Sequence, residues 1–273
     1  MSENFLYITS REYKLMLEAN RFQNRAKGVA AFWAMVNCLI EKTPTANNIN
    51  PGSTDTPKKE RLTWYLDTPA QALNKNNFVL RLREEEEEGE TSYKITLKYR
   101  SPDRFISAAQ NLEGTKAGSK TKFEEDVVPF FSSKFSYSTS VKLDKLPQLQ
   151  TIGDIVKLFP GIKDLELPQD VRIKTVNDFT AHELVYHPGK FYLGKDNERT
   201  KIKCALSFWY LLSKKDRYPL VAEFSFDYDR DEQEGFPLTV AQGSKYLFTT
   251  LQKQSGWLNP DATTKTAYAY SGF

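Results

Sequence analysis

In the stretch NNFVLRLREEEEEGETSYKITLKYR, residues 76–100, Arg81 and Arg83 stand two apart, and so do Lys94, Thr96, Lys98 and Arg100. Side chains alternate between the faces of a β-strand. Each segment therefore presents a row of cations on one face, with Leu80 and Leu82, or Ile95, Leu97 and Tyr99, on the other. Joined as an antiparallel pair, the two rows share a surface that repels itself unless it is solvated or holds an anion. The same rule groups Arg172 with Lys174 and Lys201 with Lys203. It also groups Glu223, Ser225, Asp227 and Asp229 on one strand face, and Lys122, Glu124 and Asp126 on another. Exposed sheet faces usually mix signs, because like charges directly opposite one another destabilise a sheet. Sorting by sign suits a ligand instead: basic rows grip phosphate oxygens, and carboxylates hold a divalent metal that bridges them.

The elements that must carry these rows follow from periodicity. Apolar residues three and four apart predict a helix over 25–42, through Val29, Phe32, Trp33, Val36, Leu39 and Ile40, and another over 237–254. A third helix is predicted at 151–159, inside a stretch, 129–165, that reads as mixed helix and loop. RLTWYLDTP, KTKFEEDVV, DVRIKTVNDFTAHELVYH, TKIKCALSFWYLL and YPLVAEFSFDYD read as further strands. Residues 43–60 and 101–119 read as polar loops, and the glutamates of 84–88 with Gly89 as a solvated turn. Strands and helices without regular alternation predict an α+β protein built on an antiparallel sheet, in one domain spanning 1–273.

Composition narrows the function classes. The 273 residues carry 38 basic and 35 acidic side chains, a net charge of +3 that is too small for bulk attraction to nucleic acid. No apolar run approaches the roughly 20 residues of a membrane-spanning helix. The opening MSENFLYITSREYK lacks the order of a secretory signal, and two cysteines, Cys38 and Cys204, build no disulfide framework. A cytoplasmic protein without membrane partners is expected. His182 and His187 lack a nucleophile constellation, Cys204 alternates onto an apolar face, and Phe208, Trp209, Phe224 and Phe226 read as core.

The order of these segments resembles the CYTH domain of the triphosphate tunnel metalloenzymes. The resemblance lies in Y-x-D-T-P at Tyr65 to Pro69, L-R-x-R at Leu80 to Arg83 and T-L-K at Thr96 to Lys98. It continues in the acidic strands around Glu124 and Glu223, and in TTKTAYAY near residue 265. It covers nearly the whole chain. It implies a closed antiparallel β-barrel of about eight strands, polar inside and braced by helices. Within it, a triphosphate would be gripped by Arg81, Arg83, Lys94, Lys98, Arg100, Lys122, Arg172, Lys174, Lys201 and Lys203. Mg or Mn would be held by Glu12, Glu124, Asp126, Glu223 and Asp227. The chain departs from the family at its first strand, where E-x-E-x-K becomes Glu12, Lys14 and Met16, and at Ser225, where a second glutamate is common. Losing two anionic ligands weakens a divalent-metal site.

The resulting expectation is a metal-dependent phosphohydrolase of inorganic or organic triphosphates with weakened catalysis. Its alternatives are a non-catalytic polyphosphate- or nucleotide-binding protein, a class IV adenylate cyclase-like enzyme, and a single-stranded RNA-binding protein with a basic groove. No side chain is singled out as a catalytic base.

Overall fold

The computed structural model describes residues 7–87, 89–194, 199–212, 218–230, 235–262 and 264–271. In chain order its elements are β1 (Ser10–Leu17), α1 (Arg25–Glu41), β2 (Ala46–Pro51), β3 (Lys59–Asp67), α2 (Ala72–Lys75), β4 (Phe78–Glu87) and β5 (Glu90–Ser101). There follow α3 (Arg104–Ala108), β6 (Lys120–Val128), β7 (Ser132–Leu143), α4 (Ile152–Leu158), β8 (Lys174–Tyr186), β9 (Gly189–Leu193), β10 (Thr200–Leu211), β11 (Val221–Asp229), α5 (Leu238–Leu251) and α6 (Lys265–Ser271).

The strands close a ring in the order β11-β1-β6-β7-β5-β4-β3-β8-β10, with β10 returning to β11; β9 and β2 extend from β10 as a flap. The barrel is therefore closed with nine strands, and it is mixed rather than purely antiparallel, because β1 lies parallel to β6.

Its apolar faces point outward, as period-2 alternation requires when the interior is polar. On one side, Tyr13, Leu15, Leu206, Phe208, Phe224 and Phe226 pack beneath Val29, Phe32 and Val36 of α1 and Leu247 and Phe248 of α5. On the other, Leu80, Leu82, Ile95 and Leu97 pack beneath Ile152, Ile155 and Val156 of α4. Cys204 and the aromatics Phe208, Trp209, Phe224 and Phe226 are core residues, each 1% exposed or less.

Local chemistry sets the ends. Asn24 caps α1 by accepting a hydrogen bond from the Lys27 amide, and Thr151 with Asp154 forms a capping box on α4. Asp67, from the Y-x-D-T-P stretch, is buried and accepts bonds from the amides of Thr68, Leu73 and Asn74 and from the Tyr270 hydroxyl. It pins α2 and α6 to the end of β3, so its role is architectural.

Several segments depart from the sequence reading. Glu84 to Glu87 continue the β4 ladder opposite Tyr93 to Glu90, so they are not a turn. Gly89, at φ 83°, belongs to the reversal itself, where only glycine sits without strain, and Glu88 lies outside the described residues. β7 runs through a segment read as helix and loop, and β2 and α3 lie inside segments read as loops.

Candidate functional site

Inward-facing side chains enclose a cavity of about 310 Å³. β4 contributes Arg81 and Arg83, β5 contributes Thr96, Lys98 and Arg100, and β3 contributes Arg61 and Tyr65. Glu12 and Lys14 come from β1, Glu124 and Asp126 from β6, Lys134 from β7, Ser207 from β10, Glu223 and Ser225 from β11, and Lys265 from α6. The predicted Arg81, Arg83, Lys98, Arg100, Glu12, Glu124, Asp126 and Glu223 thus meet in one chamber. A third apolar cluster, with Tyr65, Val176, Phe179, Ala181, Trp209 and Tyr270, packs beside it and includes Ala269 of α6.

Other predicted residues lie elsewhere. Arg172 and Lys174 are exposed and do not line the cavity. Asn177 and Asp178 both adopt left-handed φ of 51°, and the β3–β8 register shifts there. The alternation counted from Arg172 is therefore not the one that places Glu183 and Val185 inside. Lys201 is exposed where β10 leaves the ring to pair with β9 opposite Tyr192. Lys94, Lys122, Lys203 and Asp227 keep inward parity but sit beyond the cavity lining, near its rim. Lys122 has 60% of its side chain exposed.

The sequence reading missed the most deeply buried charge. Glu183, fully buried, accepts bonds from Arg61 Nε at 2.6 Å, Arg83 Nη2 at 3.3 Å, Lys265 Nζ at 3.2 Å and Ser207 Oγ at 2.8 Å. Burial alone would raise this carboxyl, but Lys265, Arg83 and Arg61 hold it well below the usual glutamate range. Arg83 is less well compensated. Burial, with Arg81 and Arg61 close by, pushes its guanidinium down to about 9. At Lys94, burial, with Arg81 and Arg83 close by, lowers the ammonium to about 8. The buried Arg81 Nε has no hydrogen-bond partner among the described residues.

The opposite wall is balanced. Asp126 takes Lys14 Nζ at 2.7 Å on one oxygen and Arg100 Nη2 at 2.8 Å on the other. Glu12 lies 2.9 Å from the same Lys14 ammonium, Glu124 lies 3.4 Å from Lys98, and Glu223 lies 2.9 Å from Lys265. A divalent ion demands several oxygen ligands at short range, whereas these carboxylates already serve protein cations. Among the described residues, no group of three or more His, Cys, Asp or Glu side chains is arranged to hold a metal ion. The residues therefore do not fit Mg or Mn in this arrangement.

Asp227 stands opposite Glu12 in the β1–β11 ladder. Burial, with Glu12 adding repulsion, raises its carboxyl to about 6, although Lys203 lies 3.6 Å away and also pairs with Asp229. An unfolded Asp titrates near 3.9, so the fold takes up a proton between about pH 4 and pH 6 and gains stability as pH falls through that window. Asp227→Asn is expected to stabilise the protein at pH 8 by on the order of 1 kcal/mol after allowance for solvent screening, with the advantage gone at pH 4. Urea unfolding at the two pH values checks this; a variant less stable than the parent at pH 8 would refute it.

No protein-family model matches the chain, and neither does any curated protein. Similar solved structures include HpAC1 from Hippeastrum, a candidate adenylyl cyclase described with a dominant triphosphatase activity. It is 11% identical over 97% of each chain, with a TM-score of 0.45. A candidate adenylate cyclase from Bacillus halodurans is 12% identical over 96% of this chain and 99% of that one, with a TM-score of 0.38. Another from Vibrio parahaemolyticus is 12% identical over 98% and 100%, with a TM-score of 0.36. No helix among the described residues is long and apolar enough to cross a membrane.

Proposed function

We propose that the barrel interior binds the linear phosphate chain of a triphosphate or polyphosphate, and that it hydrolyses phosphoanhydride bonds weakly. The observation that carries this reading is the set of cations Arg81, Arg83, Lys98 and Arg100, which line one cavity. Lys98 and Arg100 already pair with Glu124 and Asp126, but the Arg81 Nε has no partner among the described residues and Arg83 is under-compensated, so a chain of phosphates with several oxygens can satisfy the donors left over. The resemblance to triphosphate tunnel enzymes supports the same ligand class. The volume of about 310 Å³ lies at the low end for small-molecule sites, roughly 300–1,000 Å³, which favours the phosphate chain over an enclosed nucleoside. RNA binding is disfavoured, because Phe208, Trp209, Phe224 and Phe226 are buried and offer no stacking platform.

A second reading, Mg- or Mn-assisted hydrolysis, would require Glu12, Glu124, Asp126 and Glu223, which line the same cavity, to be released from Lys14, Lys98, Arg100 and Lys265. In either case the cations would stabilise charge on the phosphoryl oxygens.

Calorimetry separates triphosphate binding from simple anion binding. Tripolyphosphate is expected to bind about 100-fold or more tightly than orthophosphate, since two further charge-assisted contacts contribute roughly 1.5–3 kcal/mol each. Equal affinities would overturn the proposal. Phosphate release from tripolyphosphate, ATP or thiamine triphosphate with Mg or Mn then separates the two readings: slow release supports the first, rapid turnover the second.

A further inference from the structure

Glu12 and Asp126 are direct partners in the parallel ladder between β1 and β6, so two carboxylates face the cavity side by side. Such a pair needs a cation between its members. The cation present is Lys14, on the same face of β1 as Glu12, with Nζ 2.7 Å from Asp126 Oδ1 and 2.9 Å from Glu12 Oε2. The other Asp126 oxygen is taken by Arg100 and by Ser136 Oγ at 3.0 Å. A metal ion could reach these oxygens only if the ammonium left.

We propose that Lys14 is a built-in counter-cation: its ammonium takes the position between Glu12 and Asp126 that a divalent ion would require, and the barrel binds its phosphate chain without a divalent metal. The inference rests on the phosphate-binding reading above. An ammonium carries three donors; one is given to Asp126, while Glu12 lies within ion-pair range, which leaves donor capacity for a phosphoryl oxygen in the cavity that Lys14 lines. The ammonium is tethered to β1 and sits beside both carboxylates. Unlike a bound ion, it cannot be lost to a chelator.

Two measurements test this. The first is calorimetry of the unmodified protein with tripolyphosphate, in EDTA and again in excess Mg; binding in EDTA is expected to be at least as tight as in Mg, because no protein oxygen is reserved for the ion and Mg competes for the oxygens of the phosphate chain. The second is Mn binding without any anion, followed by electron paramagnetic resonance, for the unmodified protein and for Lys14→Gln. The variant is expected to bind Mn about tenfold or more tightly, because Glu12 and the Asp126 oxygen that Lys14 held become free ligands. Tripolyphosphate binding that requires Mg overturns the counter-cation while leaving the proposed function in place. No binding under either condition overturns the proposed function itself. Tight Mn binding by the unmodified protein, or no gain in Lys14→Gln, places the ion elsewhere and overturns the inference.

Discussion

Replacing Glu183 by alanine is expected to lower the free energy of unfolding by about 3–5 kcal/mol, the usual cost of removing one partner from a buried ion network. Glu183 has no exposed surface, and it is the shared acceptor of Arg61, Arg83 and Lys265. Without it, three cations face one another across a secluded chamber, with only Glu85 at 3.0 Å from Arg61 and Glu223 beside Lys265 as relief. Urea unfolding at neutral pH measures the loss. A decrease below about 1 kcal/mol would mean that the stranded cations reach water, and that the network is worth no more than a surface pair. The acid limb gives an independent check. A depressed folded-state pKa contributes stability above the ordinary glutamate value of about 4.3, and this is lost as pH falls through the folded value. Glu183→Gln should therefore flatten the loss of stability on acidification.

Arg81→Ala should behave in the opposite way. Arg81 lines the cavity, its buried Nε has no partner among the described residues, and its charge pushes down the pKa of both Arg83 and Lys94. Removing it is expected to weaken tripolyphosphate binding by roughly 10- to 100-fold, the worth of one charge-assisted contact at about 1.5–3 kcal/mol. Stability should stay level or rise, because a like-charge neighbour disappears. Arg83→Ala should lose both affinity and stability, since Arg83 also holds Glu183. Calorimetry paired with urea unfolding on the two variants separates binding from folding. An Arg81→Ala protein that binds tripolyphosphate unchanged would remove Arg81 from the site.

How much of this could be read in the sequence depended on whether a strand kept its alternation. β4, β5, β6 and β11 are regular where they line the cavity, so counting by twos brought Arg81, Arg83, Lys98, Arg100, Glu124, Asp126 and Glu223 to one face. β8 breaks the count at Asn177 and Asp178, which is why Arg172 and Lys174 were expected inside and Glu183 was not. The signal for Glu183 was a single carboxylate beside the apolar run Leu184, Val185 and Tyr186. β7 hid behind serines, which read as loop, although Lys134, Ser136, Ser138 and Ser140 alternate with Phe135, Tyr137, Thr139 and Val141. Arg61 shared parity with Tyr65 and was available to the same rule. Lys265 was not: the resemblance marked TTKTAYAY, but parity along a strand cannot show that a helical ammonium enters the barrel, where it meets Glu183 and Ser207, 82 and 58 residues earlier in the chain.

β1 pairs with β6 and β11, at contacts 114 and 217 residues away along the chain. On a ribosome adding about 5–20 residues each second, roughly 10–40 s separate the synthesis of β1 from that of its antiparallel partner. Through that interval Tyr13, Leu15 and Leu17 form an unpaired apolar edge, the kind of surface that chaperones shield. Each half of the ring carries only part of the charge pattern, and neither encloses a chamber. The long closure predicts slow folding dominated by non-local contacts. It also makes the interior an all-or-none feature, which a nascent chain acquires only when its oldest strand meets one of its youngest.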